Sequence, residues 1–343
     1  MAEIQTFIDA TVASGGAGTE LDPYGSASEW ESNEQTDLVS DGDTHKALAT
    51  GGIDGTAFTI SGWGTDSTHF VELTSQASDD PSGVFDSAKY FLDRGTGLGA
   101  IVAINDDNTK LTSIQFRRDG PGAVGSQRPC VSIAAQAAGN THDITSCVFL
   151  SIAAVASAQK VGIVTSDSDT VLTANNNVFY DFDDTNDDGI DIQSQTAGSA
   201  KVINNTFQNC TVALAGLSST KVLNNIFQSC GTDVSGTVDT GNSGYNLSDA
   251  ASGLPGSNNV HSSTLTFKDA ANDDFHLASG DTDAIGAGVG PSSDSDILET
   301  DVDGDTRSGT TCDIGFDEYI AIGGESTSSN DEFYITLLSG AAV

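Results

Sequence analysis

The stretch "KVINNTFQNC", Lys201 to Cys210, is written again twenty residues later as "KVLNNIFQSC", Lys221 to Cys230, with seven of ten positions identical. The pair closes a longer series. "AIVAINDDNTKLTSIQF" ends at Phe116, "VSIAAQAAGNTHDITSCVF" at Phe149 and "VGIVTSDSDTVLTANNNVF" at Phe179. "GIDIQSQTAGSAKVINNTF" then ends at Phe207 and "VALAGLSSTKVLNNIF" at Phe227. Each line holds a short alternating strand, a polar turn and a second strand closing on Phe. The Phe spacings are 33, 30, 28 and 20. A constant motif at a variable period means that the turns absorb insertions while stacked strands keep register, as in a solenoid.

Small apolar residues alternating with polar ones give strands with one buried face, and the long amphipathic stretches of helical repeats are missing. The acidic residues agree: 39 are Asp and 10 are Glu, with no Glu between Glu72 and Glu299. Asp, Asn, Ser, Thr and Gly favour turns over helix interiors. Parallel strands stacked about 4.8 Å apart place Phe207 on Phe227, Cys210 on Cys230 and Ile203 on Leu223. The expected ladder is therefore Phe116, Phe149, Phe179, Phe207 and Phe227, with Cys210 and Cys230. Asn176, Asn204 and Asn224 mark the bends, since Asn tolerates left-handed backbone angles and stacked amides bond from rung to rung. The other reading of these asparagines is a polar binding row. Five cysteines, an odd number without CxxC pairs, suit buried free thiols, because parallel stacking aims Cys210 and Cys230 poorly for a disulfide.

With these motifs in view, the sequence resembles right-handed parallel β-helix proteins of the pectate-lyase-like kind, in particular those of phage genomes and marine metagenomes. "YGSASEWESNEQTDLVSDGDTHKAL", "FTISGWGTDSTHFVELTS", the NNTF/NNIF rungs, "FKDAANDDFHLASGDTDAIGAGVG" and "DVDGDTRSGTTCDIGFDEY" appear in that order over roughly residues 15–320. Gly286 departs from relatives, which often carry Asp there. The resemblance implies an all-β, right-handed parallel β-helix solenoid with a helical N-terminal cap, a C-terminal closing segment and a tail strand. The expected organisation is residues 1–45 as cap, 46–254 as β-helix, 255–320 as the end and cap, and 321–343 as linker and apolar tail. Ser28 and Glu31 have capping-box spacing for a short helix carrying Trp30. In the tail, Phe333, Tyr334, Ile335, Leu337 and Leu338 form either a strand folded back on the helix end or an attachment strand docking on a neighbour.

Charge excludes some functions. Forty-nine acidic against 12 basic residues give a formal charge of −37, which repels nucleic acid and anionic membranes. No stretch approaches a membrane span, and "MAEIQTFIDATVASGG" lacks the marks of a secretory signal. Synthesis in a cytoplasm and release by lysis is the expectation. For catalysis, "NDDGID" within Asp181–Ile192 loosely resembles a polygalacturonase element, but that family's other elements are missing. Arg117 and Arg118 could serve a lyase, although neighbours on a strand point to opposite faces. Calcium is the candidate cofactor. Asp184, Asn186 and Asp188 match the opening of a calcium loop, whose twelfth position here is Gln195 rather than Glu. Asp301, Asp303 and Asp305 form a second knot. The expectation is a structural, virion-associated protein (tail fibre, spike or capsid decoration) that meets host-surface glycans and assembles with itself or other virion proteins, a trimer being common among tailspikes. A lyase or hydrolase on acidic polysaccharide is the alternative, and a bacterial surface adhesin a third reading.

Overall fold

The structure is a computed structural model that describes residues 2–120, 126–134, 141–152, 159–166, 170–193 and 200–321. It is a parallel β-helix with three faces. One coil illustrates the winding: Thr109–Thr112 lies on the first face, Gln115–Arg118 on the second and Gln127–Ile133 on the third, before Thr141–Thr145 returns to the first. Among the described residues the strands of successive coils pair in parallel, and on the second face the register is unbroken from Phe116 through Phe149, Phe179 and Phe207 to Phe227. The first and third faces join into one 14-stranded sheet, because Val212–Leu223 continues as a single strand from one to the other.

The Phe column is the axis of the core. Ring centroids lie 4.8, 4.5, 4.9 and 5.3 Å apart and adjacent planes are within 11° of parallel. All five rings are buried. Burial contributes roughly 1.5–3 kcal/mol for each, and aromatic contact adds about 0.5–1.5 kcal/mol. Opposite the column, Gly162 and Gly189 are tightly placed. A Cβ on Gly162 would lie 2.8 Å from the Phe179 ring, and one on Gly189 would lie 2.9 Å from the Phe207 ring. The stacked rings leave no room for a side chain at those two positions.

The corner between the first and second faces is built identically in seven coils. Ser113, Ser146, Asn176, Asn204, Asn224, Tyr245 and Asn258 all have φ between 53° and 59°, the left-handed region that Asn adopts at least cost. The residue after each forms a separate inner column. Cys147, Asn177, Asn205, Asn225 and Asn246 each donate a backbone N–H to the side-chain oxygen of the next Asn, at 2.9–3.0 Å, ending on Asn259. Each amide NH₂ donates back to the coil before, as Asn205 does to Ala174 O and Asn225 to Val202 O. The amide ladder thus belongs to the second Asn of each pair, whereas Asn176, Asn204 and Asn224 hold the bend.

The ends differ from the expected organisation. The segment 1–45 is more than a cap: Glu3–Asp9 pairs with Thr44–Thr50 over seven residues and is the first strand of the first face. The helix Ala27–Glu34 does carry a buried Trp30, packed against Trp63 at 5.7 Å. Its N-cap, however, is Ser26, whose hydroxyl accepts the Glu29 N–H. The sequence holds two overlapping S-x-x-E spacings, and the earlier one caps because the Glu29 carboxylate also binds the N–H groups of Gly15 and Gly25. Ser28 lies inside the helix, and Glu31 accepts from Ser61 N instead. At the other end, bridges Gly244↔Ser257 and Leu247↔Val260 carry the coil past residue 254. All five cysteines are free. The tail residues Phe333, Tyr334, Ile335, Leu337 and Leu338 lie outside the described residues.

Candidate functional site

The segment after the last coil does not sit on the end of the solenoid. It runs back along the left-handed corner as a strap, and the corner asparagines are its anchors. Asn176 Nδ2 donates to Thr300 O at 2.9 Å, Asn204 Nδ2 to Gly315 O at 3.1 Å, and Asn224 Nδ2 to Val289 O at 2.8 Å. Asn224 also accepts the Val289 N–H. Beside them, Lys201 and Lys221 project outward in register and bind Asp294 and Asp296 at 2.6–2.8 Å. The repeat at Lys201–Cys210 and Lys221–Cys230 therefore specifies both an interior column and an exterior docking track.

Under the strap lies a charged hub. The Arg307 guanidinium is buried and donates to Asn176 Oδ1 and Gly315 O, both at 3.0 Å, with Glu318 at 3.5 Å. Asp301 accepts the N–H groups of Asp303 and Asp305 on one oxygen and of Glu318 on the other. Its carboxylate is thus used in closing a turn. Asp301, Asp303 and Asp305 do not converge as metal ligands. Asp303 instead faces His276 and Asp317, and the three offer ligand atoms within 4.8 Å of one another. His276 Nδ1 lies 2.5 Å from Asp274 and its ring packs on Phe316. Burial alone would push the imidazole down, but Asp303, Asp317 and Asp274 outweigh it and hold the group up at about 9. Burial raises Asp301 and Asp317 to about 6.

The other predicted cation loop is also rearranged. Lys160, itself buried, places Nζ 2.7 Å from Asp184 and 3.7 Å from Asp187, with Ser151 Oγ and Ile152 O completing its partners. Of the three residues named for calcium, Asp184 is thus paired with an ammonium. Asn186 supplies a left-handed turn, φ 71°, and Asp188 lies on the third face under the amide of Gln159 at 2.5 Å. Burial raises Asp187 and Asp188 to about 7, with the charge of Asp191 adding to the effect at Asp188. Asp191 is covered in turn by the amides of Gln127 and Gln193. These three carboxylates, within the stretch resembling a hydrolase element, are buried.

All twelve Lys and Arg residues lie among the described residues, and each is engaged within the chain. Lys46, Lys110, Lys160, Lys201, Lys221, Lys268, Arg117 and Arg307 pair with carboxylates. Lys89, Arg94, Arg118 and Arg128 donate to backbone carbonyls. Arg118 is buried, and Arg117 is held by Asp93 at 2.6 Å. No helix among the described residues is long and apolar enough to cross a membrane. No protein-family profile matches the chain, and no curated protein sequence does so either.

Proposed function

We propose that this chain is a non-catalytic display scaffold, a strap-locked rod carried on a virus-like particle as a fibre, spike or decoration, whose faces meet neutral host-surface glycans. The observation that carries this reading is the internal use of every cation. A protein that acts on acidic polysaccharide needs free positive charge to hold its substrate, since at −37 its field otherwise repels that polymer. The polar carboxylates of the third face are likewise capped by amides from neighbouring coils. The order of sequence motifs shared with phage-type β-helix proteins supports the particle location.

The test is incubation of the full chain with neutral and uronate-containing polysaccharides. Retention on neutral glycans, with no new reducing ends and no absorbance from unsaturated products, is the expected outcome. Turnover of any uronate polymer would defeat the reading. Mass spectrometry of purified particles from the source tests the location separately, and a chain missing from them would remove the virion assignment.

A further inference from the structure

We propose that His276, Asp303 and Asp317 form a binding site for a divalent transition cation of the Zn²⁺ class, which ties the hairpin of the strap to its two acidic loops. The hairpin is Phe267–Asp269 paired antiparallel with Asp274–Leu277. The loops carry Asp303 and Asp317. These three residues lie more than ten positions apart from one another in sequence, and the strap alone brings them together.

Two independent features point to a ligand. First, His276 is only 8% exposed, yet its Nε2 has no hydrogen-bond partner among the described residues. Asp303 Oδ2 faces it at 3.2 Å as a charge partner. Adjacent ligand atoms around a tetrahedral Zn²⁺ with bonds of about 2.0–2.1 Å stand roughly 3.3 Å apart, so the spacing suits a shared cation. Second, the opposite ring nitrogen is already fixed. Asp274 Oδ1 holds Nδ1 at 2.5 Å, while Lys268 binds the other Asp274 oxygen at 3.1 Å. A carboxylate on Nδ1 directs the Nε2 lone pair outward, the usual support of a metal-bound imidazole. Asp317 is oriented by the Leu277 N–H at 2.7 Å through Oδ2. One imidazole with two carboxylates favours a borderline ion over Ca²⁺, which prefers all-oxygen cages.

The experiment is equilibrium dialysis of the metal-stripped full chain against Zn²⁺, with Co²⁺ absorption as a probe of coordination and a thermal melt of each sample. One Zn²⁺ bound per chain and a raised melting midpoint are expected. Asp303→Asn changes a side chain at the rim and should leave the fold intact while weakening Zn²⁺ at least about 10-fold. Asp274→Asn, acting through His276, should weaken it within about 10–100-fold and alter the Co²⁺ spectrum. Absence of Zn²⁺ binding by the unmodified chain overturns the proposal, as does binding that Asp303→Asn leaves unchanged. Ca²⁺ binding stronger than Zn²⁺ at the same site would also overturn it.

Discussion

Replacing Asn205 with alanine removes the acceptor used by Asn177 N–H and Nδ2 and the donor used by Ala174, Ile203 and Asn225. Several buried groups lose partners together, so Asn205→Ala should cost about 3–5 kcal/mol in urea unfolding. Asn204→Ala loses one bond to Gly315 O and strains a left-handed angle, and should cost about 1–2 kcal/mol. Equal losses at the two positions would contradict the division of labour. The sequence marks both residues as corner Asn but not which one faces inward, because that depends on which takes the positive φ. The Phe column was legible, since identical residues at each line end must coincide once strands stack in register. Lys160 as the resident cation was not, because it lies 24 residues before Asp184 and meets it only through stacking.

Ionisable side chains give a further residue-level prediction. His276 is held up at about 9, above its ordinary value, so its contribution is full below about pH 6.5 and is lost as pH rises through 9. Asp187 and Asp188, raised to about 7, favour the folded state while protonated and lose that contribution as pH rises through 7. Both effects have the same sign. The melting midpoint should therefore fall steadily from pH 6.5 to pH 9 at fixed ionic strength. His45 and His142, pushed down to about 4 by burial, oppose stability only at lower pH. A flat or rising midpoint over that window would refute this assignment.

Among the elements, the stacked strands were readable and the strap was not. Strands carry period-2 alternation and a repeated corner, whereas the strap has short pieces without periodicity and meets partners as far as 131 residues away. Its dependence on the corner can be measured. Asn224→Ala removes both bonds to Val289, so hydrogen exchange at Gly288, Val289 and Ile314 should accelerate, and by the same factor as at the Phe-strand amides, since strap and solenoid open together. Gly162→Ala tests the opposite wall. Its methyl meets Gly189 O at 2.4 Å and the Phe179 ring at 2.8 Å, so a loss of about 1–3 kcal/mol from overpacking is expected.

At the scale of the whole molecule, 49 acidic residues share twelve cations that are already engaged. Self-repulsion should then limit stability at low salt, and the melting midpoint should rise from about 50 mM to about 500 mM NaCl as the Debye length shrinks. A fall would mean that the ion pairs along the first face and strap dominate instead. Strap and solenoid are expected to unfold as one cooperative body. Native-state hydrogen exchange tests that claim directly. The strap amides of Gly288, Val289, Ile314 and Gly315 are predicted to open with the same free energy as the ladder amides of Asn177, Asn205 and Asn225. Strap amides exchanging orders of magnitude faster than the ladder would contradict it.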